Sequence, residues 1–374
     1  MNKQELTYWI SLSMIPRMWT KRKNEIFVNC FKHIPQISII QLFEEPSLWD
    51  DLSLTDEEKS LFWVAKEQLS NNSFLVEELL AQGYNIIPIT SPEYPKQLKK
   101  NLGIGAPSII YTKGNKKLFE ENAVAIVGSR KADAVSLSFT NNVAAKATRE
   151  RKVVVSGFAK GVDRQALDAA LANNGKSIIV LPQGITTFYS GFKQYYKPII
   201  EGKVLVMSTF FPKAPWTVEF AMARNPIIYG LANEIYVAQS DSKGGTWSGV
   251  IDGLRKGRKI FVRYPEAKEQ NANLQLIQKG GIPIDFNGDE CNVNAEYIND
   301  ATKVEQVDYN AKITGALKDG SMSSKAIIEK CKLDWSDTKM KKYLRSMSNV
   351  TESKKRNKIF FHLKNYSEPS LFNN

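Results

Sequence analysis

Cysteine and histidine are scarce in this 374-residue chain, and the few present are scattered. Cys30, Cys291 and Cys331 show no Cys-x-x-Cys spacing, and His33 and His362 lie far apart, so neither a zinc site nor a disulfide framework can be assembled. Long hydrophobic runs are missing too. The apolar stretch around Tyr8–Ile15 is too short to span a bilayer, and Met1–Leu6 lacks the basic patch and apolar run of a signal peptide. The expected setting is a reducing cytoplasm with no membrane partner. Neither Gly-x-x-x-x-Gly-Lys-Ser/Thr nor a full Gly-x-Gly-x-x-Gly occurs, which disfavours a nucleotide-cleaving P-loop and a dinucleotide; no cofactor and no metal are expected. Acidic residues are in deficit: 39 Asp and Glu stand against 51 Lys and Arg, a formal charge of +12. That surplus lowers the energy of a polyanion near the surface, so nucleic acid is the leading candidate partner.

The chain changes character along its length. Residues 1–83 read as a small helical domain, broken at Pro35 and Glu45-Pro46, with a cap at Ser53 or Thr55 opening the helix that carries Phe62 and Trp63. Residues 84–285 read as a lead-in segment followed by a core. In the core, short apolar strands (Val124–Val127, Val153–Ser156, Ile178–Leu181, Val204–Met207, Ile235–Ala238, Lys259–Val262) alternate with amphipathic helices (Val135–Arg151, Asp163–Asn173, Val218–Ile228, Ser248–Lys256). Such alternation predicts an α/β fold with a Rossmann-like, doubly wound parallel sheet, whose strand ends are candidate sites. A polar linker is expected over 286–308. Residues 309–374 predict three short helices and a basic hairpin around Lys354-Lys355-Arg356, the pattern of a winged helix. Between 312 and 364, fourteen Lys and Arg face five Asp and Glu, so this tail holds most of the surplus charge.

Several strands run into glycine: Gly128-Ser129-Arg130, then Ser156-Gly157-Phe158-Ala159-Lys160-Gly161-Val162-Asp163, then Pro182-Gln183-Gly184. Lys243-Gly244-Gly245-Thr246 repeats the recipe after a fourth strand. Glycine lets backbone N–H groups approach an anion, and the helix that follows adds its positive end. Arg130 and Lys160 add full charges, one a planar fork and the other a point charge. A nucleophile with its base would need a histidine or a placed lysine or carboxylate, and both histidines fall outside the sheet. Asp163 reads as a base or, more simply, as a cap of the following helix. No catalytic residue is assigned.

Taken in order, these residues resemble the DNA-processing family known as DprA or Smf. Val127-Gly128-Ser129-Arg130 matches its Val-Gly-Ser-Arg turn, and Ser156–Asp163 its Ser-Gly-x-Ala-x-Gly-Ile-Asp loop with Val162 for Ile. Leu181–Gly184, Arg224-Asn225 with Ile227-Ile228 and Gly230-Leu231, Gly257–Val262 and Leu276–Gly281 continue the likeness, which covers about Tyr84 to Gly281. The resemblance implies a homodimeric Rossmann-like core that holds single-stranded DNA in a basic pocket and helps load a RecA-type recombinase during uptake of transforming DNA. It implies that Arg130 and Lys160 grip phosphates, with Ser129, Gly157, Gly161, Arg224 and Asn225 shaping the pocket. Gly128, Ser156, Lys243, Gly244 and Thr246 complete the candidate DNA-binding set. The chain departs from the family at Pro226, which replaces an arginine, at Asp168, which replaces a histidine, and at Gly244-Gly245-Thr246-Trp247, which replaces Ser-Gly-Ser-Leu. One positive group lost and one negative gained should weaken the anion site, by on the order of 1 kcal/mol per contact.

Bases could stack on Phe158, Tyr189 or Trp247, although such rings more often fill a core. A competing expectation is a nucleotide-processing or nucleotide-sensing Rossmann-like protein related to phosphoribohydrolases. Their Pro-Gly-Gly-x-Gly-Thr-x-x-Glu motif is answered here only by Gly244-Gly245-Thr246, with no leading Pro and with Gly249 where the glutamate would stand.

Overall fold

Strands with no polar face need cover on both sides, and the strands of this chain are built that way. In the computed structural model, which describes residues 2–266, 269–292, 309–318, 320–333, 335–355 and 358–364, every residue of Ala123–Val127, Val153–Ser156, Ser177–Val180 and Val204–Ser208 is buried. The chain forms two compact units, Met1–Val293 and Asn294–Asn374. The first contains a sheet of β1 (Asn85–Pro88), β2 (Ile109–Gly114), β3 (Ala123–Val127), β4 (Val153–Ser156), β5 (Ser177–Val180), β6 (Val204–Ser208), β7 (Glu234–Val237), β8 (Lys259–Arg263) and β9 (Ile282–Ile284). Their order is β1-β2-β6-β5-β4-β3-β7-β8-β9. Strands β3 to β9 run parallel, while β2 is antiparallel to both β6 and β1. From β3 the chain winds outward through β4, β5 and β6, then returns to the other side of β3 for β7, β8 and β9. The reversal between β3 and β7 opens a crevice at their carboxyl ends, where α/β sheets of this kind place their ligands.

Six helices precede the sheet: α1 (Lys3–Met14), α2 (Thr20–Lys32), α3 (Ile39–Glu44), α4 (Leu48–Asp51), α5 (Asp56–Glu67) and α6 (Leu69–Ala81). Of the two expected caps for α5, Thr55 is the one used: its side chain accepts from the Glu58 N–H, and Glu58 reaches back to the Thr55 N–H. The others are α7 (Lys96–Leu102), α8 (Ala134–Arg149), α9 (Val162–Ala172), α10 (Tyr189–Gln194), α11 (Tyr196–Ile200), α12 (Val218–Ala223), α13 (Asn225–Leu231), α14 (Gly245–Arg255) and α15 (Asn273–Gln278). Alternation along β3 sends Ala125 and Val127 to one face, under α7, α13, α14 and α15, and Val124 and Ile126 to the other, under α8 and α9. The N-terminal helices and α10 share a further core with Ile179, Val204 and Val206 on that second face. Buried Asn24 of α2 ties them down, donating to the Ile104 and Ala106 carbonyls at 2.8 and 2.7 Å and accepting from the Ser108 hydroxyl at 2.8 Å.

Three expectations need correction. The helix expected over Val218–Ile228 is two helices that change at Arg224, because Pro226 opens α13 and has no N–H to continue α12. Strand β9 was unexpected; it has three residues, with Pro283 at its centre, at the sheet edge where proline is tolerated. The first residues of the expected linker 286–308 belong to a turn instead: the Asp285 N–H donates to the Asp289 carbonyl at 2.8 Å, and Lys146 of α8 holds Gly288 and Asp289. Residues 293–308 and Arg356 lie outside the described residues.

The second unit contains α16 (Tyr309–Leu317), α17 (Ser324–Lys330), α18 (Asp337–Ser346) and an antiparallel pair, β10 (Val350–Lys355) with β11 (Lys358–Leu363). Ser323 and Ser336 cap α17 and α18, and Met322 bridges to Phe361. Ile313, Leu317, Ile327, Met340, Leu344 and Phe361 form its core.

Candidate nucleic-acid interface

The crevice between β3 and β7 has a volume of 390 Å³, enough for a nucleotide-sized group. One wall comes from the loops after those strands and carries the exposed side chains of Arg130, Lys131 and Lys243. The facing wall comes from α12 and α13 and is largely apolar: Val218, Ala221, Met222, Ile228 and Tyr229. Helix α14 begins here at Gly244, with no side-chain cap and no acidic residue in its first turn, so its positive end faces the same space. Two carboxylates line the crevice, exposed Asp241 and buried Asp163.

The loops lock one another in place. The Ser129 N–H donates to the Gln239 carbonyl at 2.9 Å, the Thr246 hydroxyl donates to the Gly128 carbonyl at 3.1 Å, and the Lys131 N–H donates to the Ser129 hydroxyl at 3.1 Å. Gly161 is required by this contact: its φ is +82°, and a Cβ there would stand 2.4 Å from the Ser129 carbonyl oxygen. Beneath them Arg224, only 3% exposed, donates through Nη2 to Asp163 Oδ2 at 3.1 Å. Its guanidinium lies so close to Gly157 that a Cβ there would fall 1.6 Å from Nη1. Burial pushes the Asp163 carboxyl above its ordinary value, and the Arg224 charge, then that of Arg130, pull against it.

Eight of the twelve expected residues line the crevice: Gly128, Ser129, Arg130, Arg224, Asn225, Lys243, Gly244 and Thr246. The other four do not. Ser156 is fully buried and donates its hydroxyl to the Ile126 carbonyl at 2.7 Å, while Gly157 and Gly161 act as spacers behind the loops. Lys160 is exposed on the neighbouring loop, outside the lining. The glycine turn after β5 is no open cradle, because the Gly184 and Thr186 N–H groups donate to the Ala214 and Pro212 carbonyls at 2.9 and 3.0 Å. Asp163 neither caps α9, whose cap position is Gly161, nor stands free as a base. Asp168 accepts from the Tyr195 hydroxyl at 2.5 Å and is absent from the lining, so its charge is not placed against the anion site. Pro226 is absent from it too. Phe158 packs edge-on against Phe188 and Tyr195, and Trp247 packs against the core, which leaves Tyr189 as the exposed ring of the three. Sequence reasoning missed Lys131, Asp241 and the apolar wall. Lys131 was available as the neighbour of Arg130; the wall was not, because α12 and α13 meet the loops only through the fold.

Fold and site together define a Rossmann-like α/β protein with an open crevice, cationic on one wall and apolar on the other. Among the described residues no helix is long and apolar enough to cross a membrane, and no cluster of His, Cys, Asp and Glu could hold a metal ion. The sequence profile of the DNA recombination-mediator protein A family matches residues 85–290, and the chain belongs to that family of DNA-processing proteins. It is 29% identical over 207 residues to the DNA processing protein DprA of Bacillus subtilis, covering 54% of this chain and 69% of that one. To the DNA processing protein DprA of Streptococcus pneumoniae it is 34% identical over 158 residues, 42% of this chain and 55% of the relative, so the match spans little more than half of that protein. The X-ray structure of DNA processing protein A from Streptococcus pneumoniae has the same fold, with a TM-score of 0.61 at 24% identity over 76% of this chain and 95% of that one.

Proposed function

We propose that the crevice binds single-stranded DNA and that the protein acts without catalysis, protecting incoming strands and assisting a RecA-type recombinase in natural transformation or recombination. The observation that carries this reading is the pairing of unlike walls. Arg130, Lys131, Lys243 and the start of α14 suit phosphates, while the exposed side chains of Val218 and Met222 suit the face of a base, and a single strand offers both at once. A duplex hides its bases, and a free phosphate has none. In this reading the working protein is a cytoplasmic homodimer. Residues 1–83 and 84–285 serve as helical domain and core, and residues 309–374 are a winged helix that follows a linker.

The phosphoribohydrolase alternative loses its key group on steric grounds. A Cβ at Gly249 would stand 2.6 Å from the ring of buried Tyr229, so a glutamate at this position would have to displace that ring. The test is a titration of Arg130→Ala combined with Lys131→Ala against oligothymidylate. Affinity should fall for every sequence, and the salt dependence should flatten by about 0.7 in log–log slope for each phosphate contact removed. Unchanged binding would take the crevice out of the reading, and release of free base from a nucleoside monophosphate would establish the enzyme instead.

A further inference from the structure

The helical run after β5 presents a face that the crevice does not use. Helices α10 and α11 follow one another through Tyr195, whose N–H donates to the Gly191 carbonyl at 2.9 Å and whose carbonyl accepts from the Ile199 N–H at 3.0 Å. One side of this run faces the core through Phe188, Phe192, Tyr195 and Ile199. The exposed side carries Tyr189 and Lys193 of α10 and Tyr196, Lys197 and Ile200 of α11. Tyr189, Tyr196 and Ile200 are 77%, 67% and 70% exposed, and such a row of large exposed side chains marks an interaction surface. Neither tyrosine hydroxyl nor the Lys193 ammonium has a hydrogen-bond partner among the described residues, and Lys197 meets only Glu201, at 3.8 Å.

The run packs on the loop that carries Lys160 through its core-facing side and through exposed Gln194. Phe158 of that loop lies edge-on to Phe188 at 4.7 Å and to Tyr195 at 5.8 Å. Arg164 of α9 covers the Phe158 ring at 3.7 Å and donates to Gln194 of α10 at 3.0 Å. Asp168, beneath the run, is already engaged by Tyr195. The order of groups favours a nucleic-acid strand over a protein. Lys193 lies between the two tyrosines in the chain and Lys197 follows the second, whereas the centre of a protein interface is depleted of lysine. Rings interleaved with cations are what successive bases and phosphates require.

We propose that a single strand seated in the crevice continues past Lys160 onto α10 and α11, where Tyr189 and Tyr196 stack bases and Lys193 and Lys197 hold the phosphates between them. The proposal rests on the single-strand reading of the crevice and extends its footprint.

The test compares oligothymidylates of about 6 and about 20 nucleotides on the full chain, lengths that bracket the site size of one small binding groove. Wild-type protein should bind the longer one more tightly. Tyr189→Ala with Tyr196→Ala should weaken the longer oligonucleotide about tenfold or more and the shorter one less than about twofold, with an unchanged melting temperature. Tyr189→Trp with Tyr196→Trp should keep the affinity, and Lys193→Ala with Lys197→Ala should flatten the salt dependence for the longer oligonucleotide only. Equal effects on both lengths, or none, overturn the proposal. So does a double variant that changes the sedimentation of the protein while leaving long-oligonucleotide affinity intact, since the face would then join protein chains. The crevice variant Arg130→Ala with Lys131→Ala separates the two readings: it should weaken both lengths, and a silent result there refutes the crevice, whereas silence of the tyrosine variants alone refutes only this extension.

Discussion

At the scale of single residues, the site depends on groups that no ligand need touch. Arg224 and Asp163 form an ion pair buried under the loops, and a buried pair is costly to break because the surviving charge has no water to return to. Asp163→Ala should therefore destabilise the protein by about 3 kcal/mol, read as a lower midpoint in urea unfolding. Lys23 in α2 gives a pH signature of its own. It is buried, its ammonium donates to the Ser13 carbonyl at 2.5 Å, and burial pushes its pKa down from 10.5 to about 8. Between those values the folded chain binds fewer protons at this site than the unfolded chain, so stability rises with pH across that window, by up to about 3 kcal/mol. Lys23→Met should remove that rise from unfolding curves recorded on either side of it; a wild-type slope in the variant would count against the burial.

At the scale of elements, the crevice is set by how the loops after β3, β4 and β7 interlock. Gly161 is the joint where a positive φ and a close contact to the Ser129 carbonyl coincide. Gly161→Ala should cost about 1–3 kcal/mol from backbone strain, and it should also displace Ser129 and Arg130, so affinity for a single strand should fall more than the melting temperature. A melting curve and a gel-shift titration on the same preparation check this. The individual strands and helices were largely legible in the sequence, since β-branched runs and amphipathic periods are local properties. The break at Arg224 was signalled by Pro226 yet overridden by the surrounding helical pattern, and β9 was too short and too proline-bearing to announce itself.

At the scale of the whole molecule, charge and architecture separate. The basic stretch 312–364 belongs to the second unit, while the crevice belongs entirely to the first. A chain ending at Val293 should therefore fold, keep a cooperative melt by circular dichroism and retain its affinity for a short single strand. A truncated chain that folds but has lost this affinity would place the binding in the basic tail. The N-terminal helices should remain docked in it, because their core is continuous with the sheet through Ile179, Val204 and Val206.

Local chemistry along the chain was enough to specify the doubly wound sheet, the glycine turns at its strand ends, the cationic residues beside them and the family likeness, because each depends on neighbours a few positions apart. Which turns face a common space depends instead on strand order and on contacts between residues 30 to 120 positions apart. That is why Ser156 proved to be interior, Gly184 closed and Asp168 tied to a tyrosine, while Lys131 and the apolar wall of α12 and α13 came to the crevice. A residue type carries its chemistry wherever it stands; only the packed fold decides whether that chemistry meets solvent, another side chain or a ligand.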